Sequence, residues 1–281
     1  MTPTGPRSRT EARRGGRTAG RGGRGAVPAR CLWALVFGLL LARPAAALDL
    51  LTFWRLPECP LDLRAGGWTD YHVLTIAGGR RDEANWRLQV AAAGEDGWTL
   101  EVLPLAEVDG RLAPVAGEGW RIELDRGAAA RRGRLADHVR RVVQWEDGRP
   151  RELPPARWRD DPLVASSLQD DLSPDRREEQ GPTTRVVGEA ELLCRQYALT
   201  AVDTTRVALP SGYLLQVHRR EIAVAVHDTI PLLGVAYAAE REESVSSFDP
   251  PRRRNPPPVR RVEVMELVGF GWDARPRLKG D

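Results

Sequence analysis

A chain of 281 residues that is 42% apolar and 29% charged can bury a substantial core, which excludes a disordered or collagen-like class. Its formal net charge of +3 is unevenly spread: residues 1–47 hold nine arginines against the single acid Glu11, a net of +8, so the remainder carries −5. Basicity confined to a segment expected to be removed gives no ground for a nucleic-acid partner.

In chain order, residues 2–26 are Thr, Pro, Gly, Ala and Arg with almost nothing apolar, a composition that cannot pack a core. The expected translation start is Met1 or a point near Val27, which would leave Arg30 as the positive charge ahead of the apolar run. Cys31–Ala42 is that run, and Ala45-Ala46-Ala47 closes it with small residues. The layout is that of a secretory signal peptide cleaved after Ala47. The run is too short to cross a bilayer, which takes roughly 20 residues. Cys31 opens the run instead of following it, so it is not placed for lipid attachment. The expectation is therefore an exported protein, periplasmic or extracellular, with no membrane span in the mature chain. Residues 48–281 form one β-rich envelope domain on this reading.

Two cysteines remain after processing, Cys59 and Cys194. In an oxidising compartment the pair invites a disulfide, and the other reading is two unpaired thiols. Alternation of apolar and polar residues marks strands at 71–77, 86–92, 98–104 and 120–124, with Gly-, Asp- and Asn-rich loops at 78–82 and 94–97. The segment 138–145 fits both a helical stripe and a strand. Asp147-Gly148 then marks a tight turn, which favours a hairpin. A helix is expected over 162–172, with Asp161 as cap, Pro162 at the first helical position and Leu163, Val164, Leu168 and Leu172 at helical spacing. Residues 175–182 read as a charged loop. Strands resume at 184–187, 191–201, 205–209, 213–227, 232–240 and 259–269, and the Pro/Arg-rich 249–258 reads as a mobile loop because proline cannot donate to a ladder.

About ten strands and one or two short helices, without βαβ alternation, give an α+β, mostly β fold: a large curved antiparallel sheet wrapped over the helices. Cys194-Arg-Gln-Tyr197, Thr205–Leu209 and the run Val224-Ala-Val-His-Asp-Thr-Ile-Pro-Leu-Leu-Gly-Val235 resemble the envelope lipoprotein-carrier architecture, a half-open β-barrel with a helical lid. The resemblance covers about 50 residues and transfers no ligand residue.

No nucleophile elbow, His-Glu-x-x-His, phosphate loop or calcium loop is present in the sequence, so no catalytic, metal or cofactor-binding residue is assigned. His72, His138, His218 and His227 are scattered. The pairs Asp160-Asp161 and Asp170-Asp171 flank the expected helix, where the first would cap it. Asp70, Glu101 and Asp203 have no better claim to catalysis. Tryptophan is the one excess, with Trp68, Trp98, Trp120 and Trp272 each following a glycine. Such rings stack sugars or touch lipid chains, but they also anchor cores. The reading that follows is a non-enzymatic secreted or periplasmic protein that binds an apolar ligand or a protein partner, lipid or envelope protein, on a curved sheet. Two other classes stay open: an envelope hydrolase with dispersed acidic residues, and a carbohydrate-binding module using exposed tryptophan.

Overall fold

The computed structural model describes residues 50–132, 135–155, 174–209, 212–249 and 255–278. The expected signal segment, the cleavage point after Ala47 and the helix at 162–172 lie outside them.

The period-2 patterning resolves into twelve strands of one antiparallel sheet, two more than the sequence suggested. They are β1 (Trp68–Ala77), β2 (Arg80–Gly94), β3 (Gly97–Val108), β4 (Arg111–Pro114), β5 (Gly119–Asp125), β6 (Val139–Glu146) and β7 (Arg149–Leu153), then β8 (Arg176–Val187), β9 (Ala190–Leu209), β10 (Gly212–Val226), β11 (Val235–Asp249) and β12 (Val259–Gly271). The order is β7-β6-β5-β3-β2-β1-β12-β11-β10-β9-β8, with β4 paired to the end of β3. Two meanders, β1–β7 and β8–β12, are thus joined where β1 pairs with β12, from Trp68 opposite Gly271 to Ala77 opposite Arg261. β7 and β8, consecutive in the chain, are the two opposite edges. The β8 edge approaches β11 and β12 across the intervening strands, so the sheet curls there.

Three differences from the sequence reading have plain causes. The ambiguous 138–145 segment is mainly strand β6, because its Val142 and Val143 pair with β5 and β7. The charged stretch 175–182 is mostly strand β8: an edge strand is exposed, and its charges reflect solvent, not a loop. The helices of the described residues are three short 3-10 turns, Leu50–Phe53, Arg126–Ala130 and Leu135–His138. Among the described residues the sheet does not wrap over an α-helix.

What packs on its inner face is the irregular segment Leu51–Leu63. Leu51, Phe53, Trp54, Leu56, Cys59 and Leu63 join one core cluster with Tyr71 and Val73 of β1, Leu88 of β2, Ile122 of β5, Leu153 at one edge and Val187 at the other. Burying each of the larger side chains is worth about 2 kcal/mol. Polar contacts fix the segment in place. Trp54 Nε1 donates to Ala128 O at 2.9 Å, and Arg131 donates to the carbonyls of Leu56 and Cys59, both at 2.7 Å. Asp62 and Leu232 exchange two backbone hydrogen bonds at 2.8 and 2.9 Å. The Ile230-Pro-Leu-Leu-Gly234 turn is therefore a clamp on this segment. Gly234 lies so close to Pro60 that a Cβ there would sit 2.2 Å from the proline ring.

Cys59 and Cys194 are both buried and both free, so the expected disulfide is absent and the unpaired reading holds in this structure. Burial pushes both thiols up, Cys59 to about 12 with the nearby Arg131 opposing the shift. They are core residues, not reactive ones.

Candidate binding surface

The inner face has an apolar end, filled by Leu51–Leu63, and a polar end. Alternation along β10, β11 and β12 aims Arg220, Glu240, Glu242, Arg261 and Glu263 to the same side as the core residues Ile222, Ala238 and Met265. Register then builds two cross-strand rows. In the first, Arg220 of β10 lies opposite Glu242 of β11, and Glu242 opposite Arg261 of β12. In the second, Ile222, Glu240, Glu263 and Thr75 of β1 follow one another across four strands. Opposite charges directly across a ladder attract, so the first row stabilises its own register.

The contacts link the rows. Arg220 Nε donates to Glu240 Oε1, and Arg261 Nη2 to Glu263 Oε2. Thr75 Oγ1 donates to the same Glu263 oxygen at 3.2 Å. Glu263 is 1% exposed, and its Oε1 has no hydrogen-bond partner among the described residues. Two guanidinium groups face three carboxylates here, which leaves one negative charge in excess. Burial, reinforced by Glu240 and opposed by Arg261, raises the Glu263 carboxyl to about 7. A carboxyl that stays half protonated at neutral pH can donate a hydrogen bond as well as accept one.

Beside this array, His218 Nδ1 lies 2.7 Å from Ser244 Oγ and 3.7 Å from Glu242 Oε1. These are the residue types of a hydrolytic triad in a different arrangement. Both contacts fall on one ring nitrogen, whereas a base oriented by an acid uses the two nitrogens separately.

A cleft of about 410 Å³ opens where the end of β8 meets β11 and β12, lined by Thr184, Arg185, Gly188, Tyr237, Glu266 and their neighbours. The Arg185 guanidinium lies 3.8 Å from the centre of the Tyr237 ring, a cation–π contact.

The residues singled out in the sequence are dispersed. Asp70 forms a buried two-bond ion pair with Arg87, at 2.6 and 2.8 Å, on the outer face. Glu101 is wholly buried beneath residues 275–278, and Asp203 is exposed. Each histidine has local partners: Asn85 for His72, Asp125 for His138, Ser244 for His218 and Thr229 for His227. Among the described residues no group of three or more His, Cys, Asp or Glu side chains could hold a metal ion. Trp54 and Trp145 are core, and Trp86 and Trp120 meet at a 44° tilt on the inner face. Trp272, the most exposed, carries the Arg64 guanidinium 4.0 Å from its ring centre. The Asp160-Asp161 and Asp170-Asp171 pairs and Trp158 lie outside the described residues. No helix of the described residues is long and apolar enough to cross a membrane.

Sequence reasoning missed Arg220, Glu240, Glu242, Arg261 and Glu263. Their signal was present as charges at every second position in three consecutive strands, on the side that elsewhere reads apolar. No protein-family description matches this chain, and no curated protein is significantly similar to it.

Proposed function

We propose that this chain is a non-enzymatic binding protein of the cell envelope whose curled sheet engages a protein partner. The observation that carries this reading is the occupancy of the inner face. Phe53, Trp54 and Leu56, at 0–2% exposure, stand where a carrier would hold an apolar cargo. Opening that space means breaking the hydrogen bonds from Trp54 and Arg131 and exposing the whole segment. The charged rows on β10–β12 offer polar, sequence-specific contacts of the kind that orient a protein partner.

The test is titration with a fluorescent fatty acid such as cis-parinaric acid. The expected result is no saturable binding tighter than about 100 μM, an affinity of only about 5.5 kcal/mol. Saturable low-micromolar binding would make Leu51–Leu63 a displaceable occupant of a ligand cavity and overturn the partner reading.

A further inference from the structure

On the outer face, one cross-strand row runs Gln89 of β2, Glu101 of β3, Arg121 of β5 and Val143 of β6. Glu101 and Gln89 are both 0% exposed, which is costly for polar side chains unless they are hydrogen-bonded. The segment that follows β12 crosses this row without forming a strand. Glu101 accepts two successive backbone N–H groups, from Arg277 at 2.9 Å and Leu278 at 3.1 Å. Gln89 Nε2 donates to Arg275 O at 3.0 Å, and Arg121 Nη1 to Leu278 O at 3.2 Å. The Leu278 side chain enters a small cluster with Leu103, Val143 and Trp145. Arg275, Pro276 and Arg277 are exposed.

We propose that this outer-face groove is a docking site for an extended peptide of a protein partner, anchored by one aliphatic side chain, and that Ala274–Leu278 fills it in cis. The proposal rests on the partner-binding reading and gives it a surface.

Two independent observations carry it. The groove reads only main chain plus one leucine, as peptide-binding sheet surfaces do, so a different sequence of the same shape satisfies it. The cis segment also leaves groove atoms unused. Gln89 Oε1 and Trp145 Nε1 are buried without a hydrogen-bond partner among the described residues. Gln89 holds the carbonyl of Arg275, and the next residue, Pro276, has no N–H to offer its oxygen. A peptide with an ordinary residue at that position supplies the missing donor.

The test uses the full chain carrying Leu278→Ala, which loosens the cis segment and leaves the groove intact. The probe is fluorescein-labelled Ala-Arg-Ala-Arg-Leu, read by anisotropy, with hydrogen exchange at the amides of residues 277 and 278. Expected are faster exchange at those amides and binding at least about tenfold tighter to the variant than to the natural chain. Binding should weaken by a similar factor for Ala-Arg-Pro-Arg-Leu, for Ala-Arg-Ala-Arg-Ala, and for a probe N-methylated at its last two amides. Amides that stay protected in Leu278→Ala would make the segment a fixed part of the fold and overturn the proposal. So would exchanging amides with no probe binding. A dimer of the natural chain that the probe dissociates would put a second copy's segment in the groove, and would overturn the partner assignment. None of these failures touches the fatty-acid result, so the two readings fail separately.

Discussion

Glu263 shows how a single residue records the conflict between burial and charge. Its carboxyl sits at about 7 in the folded chain, against an ordinary value of 4.5. Between those limits the folded state holds a proton that the unfolded state has lost. The stability this contributes is complete below about pH 4.5 and is lost as pH rises through about 7, by up to roughly 3 kcal/mol. Arg261, Glu240 and Thr75 face the group, and Glu242 and Arg220 complete its surroundings. Glu263→Gln removes the titration while retaining a similar shape. In urea unfolding, the variant should therefore gain on the natural chain steadily between pH 4.5 and 7.5. A stability difference that is the same at both pH values would refute the assignment. In the sequence Glu263 looked like any solvated strand charge, since burial depends on partners about 20 residues away or more, such as Glu240 and Thr75. Cys59 and Cys194 show the same blindness: their number invited a bond, and only their separate places in the core decide against it.

At the scale of elements, the strands were legible wherever one face is apolar, as in β1 and β3, where alternation and burial coincide. Recognition failed at the edge. The N-terminal half of β8 is exposed on both faces, so it carries no alternation to detect. It failed again at Leu51–Leu63, whose apolar residues have no period because the segment packs as an irregular chain. The loop between β2 and β3 was read correctly, and its geometry carries a consequence. Gly97 has φ +146°, and a Cβ on it would fall 1.8 Å from Leu124 O, inside the ladder between β3 and β5. Gly97→Ala should cost about 3 kcal/mol or more, combining backbone strain with a lost pairing. Thermal unfolding followed by circular dichroism reads this directly. A melting temperature within 2 or 3 °C of the natural chain, well short of the shift of about 4 °C per kcal/mol or less that a domain of this size shows, would mean that the hairpin relaxes freely.

For the whole molecule, the strand order could not have been read from the chain. The pairing of β1 with β12 joins residues some 190 positions apart and brings two local meanders into one sheet. That seam makes a single inner face, and the clamp between Asp62 and Leu232 seats Leu51–Leu63 upon it. The central claim is that this face is closed by the chain itself, leaving partner recognition to the polar surfaces. Native mass spectrometry of the protein purified from the envelope fraction tests it most directly. The expected spectrum shows the bare polypeptide mass. A lipid adduct that survives gentle ionisation and is released only on unfolding would contradict the claim.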